Sequence, residues 1–272
     1  MSLYVGINNS PKNITSLLIG KNNVTKKASS AYTGGVNSKY LIYESFNLDK
    51  ELTQVNPVAA LTSGKIRKSD IGKTVYLSNS FNAACQEWQI ADINRDGTIG
   101  TVDLVSKYVL HDGSMWSFDD DGSSIITYRS SKARKTVNDF YNYFTDQVKN
   151  AIKTQQVVSN GSYYEDKVRM PSLTEVGCRC YSNGTTNGID NYMPAEGTIY
   201  PIFGNTQVWK NSLAIRNKSG VYNGYAGPTS YWVRTVYKDS SRCYAVSIES
   251  DGTWSTQYQE RSYKFLIGII RF

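Results

Sequence analysis

Histidine is nearly absent from this sequence of 272 residues, which has a single copy, His111. Since most nucleophilic and general acid–base chemistry at neutral pH depends on histidine, the shortage argues against a Ser-His-Asp site and similar catalytic sites. The sequence also has no glycine-rich phosphate loop, and no pair of carboxylates can be placed across one cleft for glycan hydrolysis. We therefore expect a protein that is not an enzyme.

Cysteine is scarce as well, with copies only at Cys85, Cys178, Cys180 and Cys243. Their spacing does not match a zinc site, so free thiols in a reducing cytoplasm are expected. No apolar run reaches membrane-spanning length, and the start MSLYVG lacks the basic and apolar regions of a signal peptide. We expect a protein made in the cytoplasm of its host without a signal peptide, and without a membrane partner.

Charged residues make up only 19% of the chain, with a formal net charge of +7. The densest basic groups, KIRK (65–68) and KARK (132–135), are too short to form the stripe that a nucleic-acid surface needs. Tyrosine, by contrast, occurs 21 times, as does glycine. This balance favours a β-rich, turn-rich protein with binding surfaces and no nucleic-acid partner.

A repeat occupies the front of the sequence, with units that start at residues 3, 17 and 31. Each unit predicts a strand followed by a Gly/Asn turn, so residues 1–45 are expected to form a small antiparallel β-repeat module. Such a meander is too thin to bury a core alone. We expect it to attach to other proteins, and a simple N-terminal sheet of one monomer is the alternative. Residues 46–69 are interpreted as a linker.

The segment DINRDGTIGTVD (92–103) has the residue order of an EF-hand or dockerin calcium loop. Its candidate metal ligands are Asp92, Asn94, Asp96 and Asp103. Asp-Gly is also a strong two-residue turn signal, and the flanking segments 87–93 and 102–110 are predicted strands. We prefer the hairpin and predict no cofactor, while Ca²⁺ at these four residues stays open as the alternative.

Further elements predict an α+β domain over residues 70–272. Helical spacing is found in 133–144, with Val137, Phe140, Tyr141 and Phe144 on one face, and in 146–153, a second helix capped by Thr145. Strands are predicted at 231–237 and 264–272, with a hairpin in 243–255 that turns at Asp251-Gly252.

Several motifs occur in a fixed order through this domain. They are EWQIADINRDG (87–97), DFYNYFTDQVKNAI (139–152), DKVRMPSLTEVG (166–177), YWVRT (231–235), VSIESDGTW (246–254) and IGIIRF (267–272). Together they resemble the DUF6273 domain of Firmicutes and their phages. The resemblance implies a C-type-lectin-like fold, similar to formylglycine-generating enzymes and to the variable proteins of diversity-generating retroelements. Cys178 and Cys180 do not match the cysteine motif of the former, so that activity is not expected here.

The N-terminal repeat is similar to repeats at the front of phage tail and baseplate proteins. The two resemblances imply a virion structural protein, a tail-fibre or baseplate adhesin that attaches a phage or phage-tail-like particle to a Gram-positive host. Residues 1–45 would bind other virion proteins, and the lectin-like domain a host surface polysaccharide or protein. A homo-oligomer is expected by analogy. The alternatives are a decoration protein that binds neighbouring subunits and a glycan-active enzyme.

The C-terminal third is rich in aromatic residues, of which Tyr231 and Trp232 are expected to be buried. Others lie beside polar residues in predicted loops, where aromatic faces and hydrogen-bond donors suit a sugar ring or a protein epitope. The predicted ligand-binding residues are Tyr237, Lys238, Arg242, Trp254, Gln257 and Tyr258. A tyrosine-rich surface without a ligand is the alternative.

Overall fold

The structure is a computed structural model of the chain. It describes residues 18–21, 24–27, 30–33, 40–44, 47–111, 115–120, 127–159, 161–178, 195–204, 218–222, 225–238, 243–260 and 263–272. Side chains are described from Asn47 onward, apart from those at 84, 218–222, 225, 226, 238 and 243. The chain divides into two units, Met1–Leu48 and Asp49–Phe272.

The first unit contains two antiparallel hairpins. Strand β1 (Leu18–Lys21) pairs with β2 (Val24–Lys27), and β3 (Ser30–Thr33) pairs with β4 (Tyr40–Glu44). The repeat predicts one continuous meander, whereas the described strands form two separate two-stranded sheets. The first repeat, 3–16, lies outside the described residues, so the β-repeat module stays a prediction.

The linker prediction is wrong for residues 49–69, which belong to the larger unit. Helix α1 (Leu48–Lys50) continues as a π-helical turn, Glu51–Val55, and is followed by α2 (Pro57–Thr62) and a 3-10 turn (Lys68–Asp70). Proline at the first position of α2 is compatible with helix initiation, since its missing N–H has no helical partner there. Apolar side chains in this segment are buried, among them Leu52 and Leu61. This burial holds the segment in the larger unit.

A four-stranded antiparallel sheet forms one layer of the larger unit. Its strands are β5 (Thr74–Tyr76), β6 (Glu87–Ile93), β7 (Val102–Ser106) and β17 (Ile269–Arg271), in the order β17-β7-β6-β5. Strand β7 lies inside the sheet and is buried at every position, which explains why most of its residues are apolar; its polar residues Asp103 and Ser106 are buried as well. The observed strand ends at Ser106, so it is shorter than the strand predicted at 102–110. The strand predicted at 264–272 is divided in the structure into β16 (Tyr263–Lys264) and β17, and it is β17 that pairs with β7.

The segment 87–110 forms the predicted hairpin, but its tip is not a two-residue turn. The connection runs from Asn94 to Thr101, and the Asn94 N–H donates to the Thr101 carbonyl at 2.9 Å. Asn94 and Asp96 adopt φ values of 56° and 57°, in the left-handed region that these residue types tolerate. The Asn94 Oδ1 also accepts from the Gly100 N–H at 2.7 Å, which closes the tip.

Helical segments cover another part of the larger unit. Helix α3 (Lys132–Asp139) begins after Ser131, whose hydroxyl accepts from the Arg134 N–H at 3.1 Å. It continues as a 3-10 turn (Phe140–Tyr143), and α4 (Asp146–Ala151) follows. Three of the four predicted apolar positions are buried, namely Val137, Phe140 and Phe144, whereas Tyr141 is partly exposed. Thr145 holds the predicted N-cap position but makes no side-chain cap.

A three-stranded antiparallel sheet carries the aromatic C-terminal region. It consists of β13 (Tyr231–Lys238), β14 (Cys243–Ile248) and β15 (Trp254–Gln257). The predicted turn at Asp251-Gly252 is confirmed, because the Glu249 N–H donates to the Thr253 carbonyl at 2.8 Å. The two-stranded sheets join β8 (Trp116–Ser117) to β16 (Tyr263–Lys264), β9 (Gln155–Ser159) to β10 (Ser162–Asp166), and β11 (Lys218–Tyr222) to β12 (Tyr225–Thr229).

One apolar cluster joins the two largest sheets. It includes Val105 and Ile269 of the four-stranded sheet together with Val233, Val246 and Ile248 of the three-stranded sheet. The expected burial of Tyr231 and Trp232 is confirmed. The larger unit is therefore a mixed α and β structure made mostly of β-sheet. None of the helices within the described residues is long and apolar enough to cross a membrane.

Candidate functional site

Three tyrosines form a row across the three-stranded sheet. Tyr237 of β13 lies opposite Tyr244 of β14, with ring centroids 5.8 Å apart, and Tyr258 follows at 5.3 Å from Tyr244. Tyr258 is 44% exposed, and the other two rings are partly exposed. We call Tyr237, Tyr244 and Tyr258 the tyrosine row. It places three tilted, adjacent rings at one end of the sheet, where Tyr237 also packs against the core cluster.

The prediction that Trp254 faces a ligand is wrong. Trp254 is only 3% exposed and belongs to the core cluster. It lies opposite Ile248 across β14 and β15, and Ile248 is buried too. Because cross-strand partners face the same side of a sheet, Trp254 faces the interior.

The other predicted ligand-binding residues are only partly placed. Gln257 is partly buried, and its Nε2 donates to the Ser255 Oγ at 3.3 Å. Arg242 and the side chain of Lys238 lie outside the described residues. Sequence reasoning did not include Tyr244 in the site, because its position opposite Tyr237 depends on strand register, which residue types alone do not fix.

The candidate calcium ligands Asp92 and Asn94 bond to protein groups. Asp92 accepts from the Arg95 Nη1 at 3.1 Å and from the backbone N–H that follows it. The Asn94 oxygen accepts from the Gly100 N–H. Within the described residues, no group of three or more Asp, Glu, His or Cys side chains is placed to hold a metal ion.

The other two candidates, Asp96 and Asp103, both accept hydrogen bonds from Arg271. Its Nε and Nη2 donate to the two oxygens of Asp103 at 2.6 and 2.8 Å, and Nη2 also lies 3.2 Å from Asp96. The Tyr200 hydroxyl donates to Asp103 at 2.8 Å. Arg271, a residue of the protein itself, therefore supplies the positive charge beside Asp96 and Asp103.

Sequence reasoning missed a buried ionic cluster in the larger unit. The Glu175 carboxylate accepts from Arg169 Nη1 and Nη2 at 2.8 and 3.0 Å. Arg95 Nη2 lies 3.4 Å from Glu175, and Arg234 Nη1 donates to its other oxygen. All four side chains are buried. We call Arg95, Arg169, Glu175 and Arg234 the arginine–glutamate cluster.

Tyr200 links this cluster to Asp103. The Arg95 guanidinium lies 3.7 Å from the centroid of the Tyr200 ring, and Arg169 Nη2 donates to its hydroxyl at 2.6 Å. Burial raises the pKa of Tyr200 well above its usual value, so the hydroxyl keeps the proton that it donates to Asp103. The result is one continuous hydrogen-bonded network.

The charge state of Glu175 follows from these contacts. Burial alone would raise the pKa of Glu175, but the positive charges of Arg169 and Arg234 hold it well below its usual range. Glu175 is therefore ionised at neutral pH. A second buried carboxylate, Glu196, lies 3.8 Å from Arg234 Nε and offsets further positive charge.

The sequence did carry a signal for this network. A single arginine stands in each of three mostly apolar segments, namely VRMPSLTEVG, YWVRTVY and IGIIRF. In the same way, a single aspartate, Asp103, stands in VDLV. A charge inside a buried strand needs a partner, since an unpaired buried charge is very costly. The presence of partners was therefore predictable, whereas their identity was not.

These features define a mixed α and β domain with a buried ionic network and a tyrosine row on its surface. Residues 100–267 match the family described as Domain of unknown function (DUF6273), and the chain belongs to that family. The match includes Glu175, Arg169 and Arg234, as well as all three members of the tyrosine row. No curated protein and no solved structure matches the chain.

Proposed function

We propose that this chain is a structural protein of a phage or phage-tail-like particle, a tail-fibre or baseplate adhesin. Its larger unit, taken as a C-type-lectin-like domain, would bind a surface polysaccharide or protein of a Gram-positive host. Residues 1–45 would attach the chain to other virion proteins. The observation that supports binding most directly is the tyrosine row, whose three rings lie 5.3–5.8 Å apart from one to the next.

The physical argument rests on what exposed tyrosines do. A tyrosine ring offers a rigid apolar face and a hydroxyl, and it loses little conformational entropy on binding. Three adjacent rings present a surface wide enough to contact more than one sugar unit or a protein loop. Many copies on one particle would convert weak contacts into strong attachment.

Two other functions remain as outcomes of the test. A decoration protein would bind neighbouring subunits and leave host cells unlabelled. A glycan-active enzyme would release soluble fragments from purified cell walls. The first outcome is read from the labelling of host cells, and the second from an assay of sugar released when the protein is incubated with purified cell walls.

The test compares fluorescent labelling of host cells by the full chain and by Tyr237→Ala/Tyr258→Ala. We expect the double variant to reduce cell labelling by about tenfold or more, because interfaces lose affinity when aromatic anchors are removed. Trp254 is not suitable for this test, since its truncation would leave a core cavity. Tyr263→Ala is the matched control, because Tyr263 is 58% exposed and lies on β16, in another sheet.

Equal labelling by the double variant and the wild type would contradict a binding role for the tyrosine row. Loss of labelling by Tyr263→Ala as well would point to a general surface effect. Circular dichroism of each variant distinguishes lost binding from lost folding.

A further inference from the structure

A cleft of about 480 Å³ opens beside the arginine–glutamate cluster. Its walls come from the tip of the β6–β7 hairpin, from residues 153–156 at the start of β9, and from single residues of β13 and β17. Among the described residues, none of the tyrosine row lines it. The cleft is therefore a separate site, and its ligand does not depend on the function proposed above.

Positive charge predominates in the lining of this cleft. Its basic residues are Arg95, Lys153, Arg169, Arg234 and Arg271, and its acidic residues are Asp96 and Glu175. Both acidic side chains already accept hydrogen bonds from arginines. Asp92, Asp103 and Glu196 pair with Arg95, Arg271 and Arg234 from behind without lining the cleft, so what the lining offers a ligand is the donors that these carboxylates leave unused. An anion is thus the ligand that this lining favours.

Two arginines keep unused donors at the cleft. Arg234 is 2% exposed, and it uses Nε for the Val158 carbonyl and Nη1 for Met170 and Glu175. Arg271 uses Nε and Nη2 for its carboxylate partners. Within the described residues, Arg234 Nη2 and Arg271 Nη1 donate no hydrogen bond. Both arginines line the cleft, so these two donors are available to a ligand there.

Lys153 adds a third free donor beside them. Its backbone N–H donates to the Arg271 carbonyl at 2.8 Å, which places the two residues side by side. The Lys153 side chain is exposed and forms no ion pair within the described part of the chain. An ammonium and two guanidinium groups at one cleft are the donors that bind phosphate and carboxylate oxygens.

The neutral lining indicates what carries the anion. Thr98, Thr154 and Gln156 are exposed at the cleft, and their side chains can both donate and accept hydrogen bonds. Tyr163 also lines the cleft and is 72% exposed, so its ring face is open to a ligand. Hydroxyl-rich ligands such as sugars use both kinds of contact.

From this combination we infer that the cleft binds an acidic sugar, a sugar unit that bears a phosphate or carboxylate group. Lys153, Arg234 and Arg271 hold the anionic group. Tyr163 contacts the ring, and the neighbouring Thr and Gln side chains bind its hydroxyls.

The test is isothermal titration calorimetry of the full chain with glucose 1-phosphate, glucuronate, inorganic phosphate and glucose. We expect binding of at least one acidic sugar, weaker binding of inorganic phosphate and none of glucose. Lys153→Ala should weaken binding about fivefold, the scale of one exposed charge pair, and high salt should weaken it further. Lys135→Ala is the matched control, since Lys135 is an exposed lysine of α3 away from the cleft.

The relative affinities of glucose 1-phosphate and glucuronate identify the anionic group. Equal affinity for inorganic phosphate and glucose 1-phosphate would contradict the sugar contact at Tyr163. Unchanged affinity in Lys153→Ala, or no heat with any acidic sugar, would overturn the site. Lys153 is used because its side chain forms no ion pair within the described residues, and its backbone bond to Arg271 is kept in the alanine variant, so a lost signal does not reflect unfolding. Tyr163→Ala provides a second readout on an exposed residue.

Discussion

The interior of the larger unit is built in two different ways. Around Trp88, the rings of Phe140 and Phe144 pack at centroid distances of 6.4 and 5.7 Å, in an apolar cluster. Around Glu175, three arginines and a tyrosine form a hydrogen-bonded network. Apolar packing tolerates a change of shape when volume is roughly kept. An ionic network does not tolerate the loss of one charge, because the remaining partners stay buried without compensation.

The largest effect is expected from Glu175→Gln. This near-isosteric change keeps the shape but leaves Arg95, Arg169 and Arg234 without their shared carboxylate. We expect a loss of about 3–5 kcal/mol in the free energy of unfolding, the cost of removing one partner from a buried ion pair. Urea denaturation of the purified chain measures it. Glu165→Gln is the matched control, because Glu165 is exposed on β10. A loss below about 1 kcal/mol would contradict a central role for Glu175.

A smaller effect is expected from Phe144→Leu in the apolar cluster. Leucine keeps most of the buried apolar volume, so we expect a loss of roughly 1–2 kcal/mol, against about 3–5 kcal/mol for Phe→Ala substitutions. The same urea titration measures the change. If Phe144→Leu proved as costly as Glu175→Gln, the contrast between the two parts of the interior would not hold.

The two parts of the interior also differ in how far the sequence predicted them. The apolar side follows from periodicity: helical spacing predicted that Val137, Phe140, Tyr141 and Phe144 share one inward face, and all of them except Tyr141 are buried. The strand at 87–93 was likewise predicted with its observed bounds. Local sequence patterns are enough to predict burial where a single helix or strand carries the whole apolar pattern.

The contacts of the arginine–glutamate cluster could not be predicted from local sequence patterns. Arg95 and Glu175 are 80 positions apart in the chain, and Arg234 and Glu175 are 59 apart. Each lone charge signals that a partner exists, but only the tertiary fold selects which one. The prediction that Trp254 contacts a ligand was wrong for a related reason, since the side of the sheet that a residue faces depends on strand register. The Tyr237–Tyr244 pair needed the same information.

The smallest effect is expected on the pH dependence of the free energy of unfolding. In the apolar part of the interior, His111 is surrounded by aromatic rings, including Phe81 and Phe140. Burial lowers the pKa of His111, and the bond of its Nε2 to the Thr136 carbonyl at 3.0 Å only partly opposes this. The unfolded chain therefore takes up a proton near pH 6.5, before the folded chain does. The free energy of unfolding should fall as the pH drops from 7.5 to 5.5.

His111→Asn should flatten this slope, because asparagine does not titrate and tolerates the left-handed backbone at this position, where φ is 60°. Urea midpoints at several pH values give the slope independently of the absolute stability of the variant. Glu175 does not interfere in this window. Its pKa is depressed in the folded state, so its contribution is fully present above about pH 4.5 and is lost only at lower pH. An unchanged slope in His111→Asn would mean that another group carries the pH dependence, and that the aromatic cluster does not keep His111 neutral.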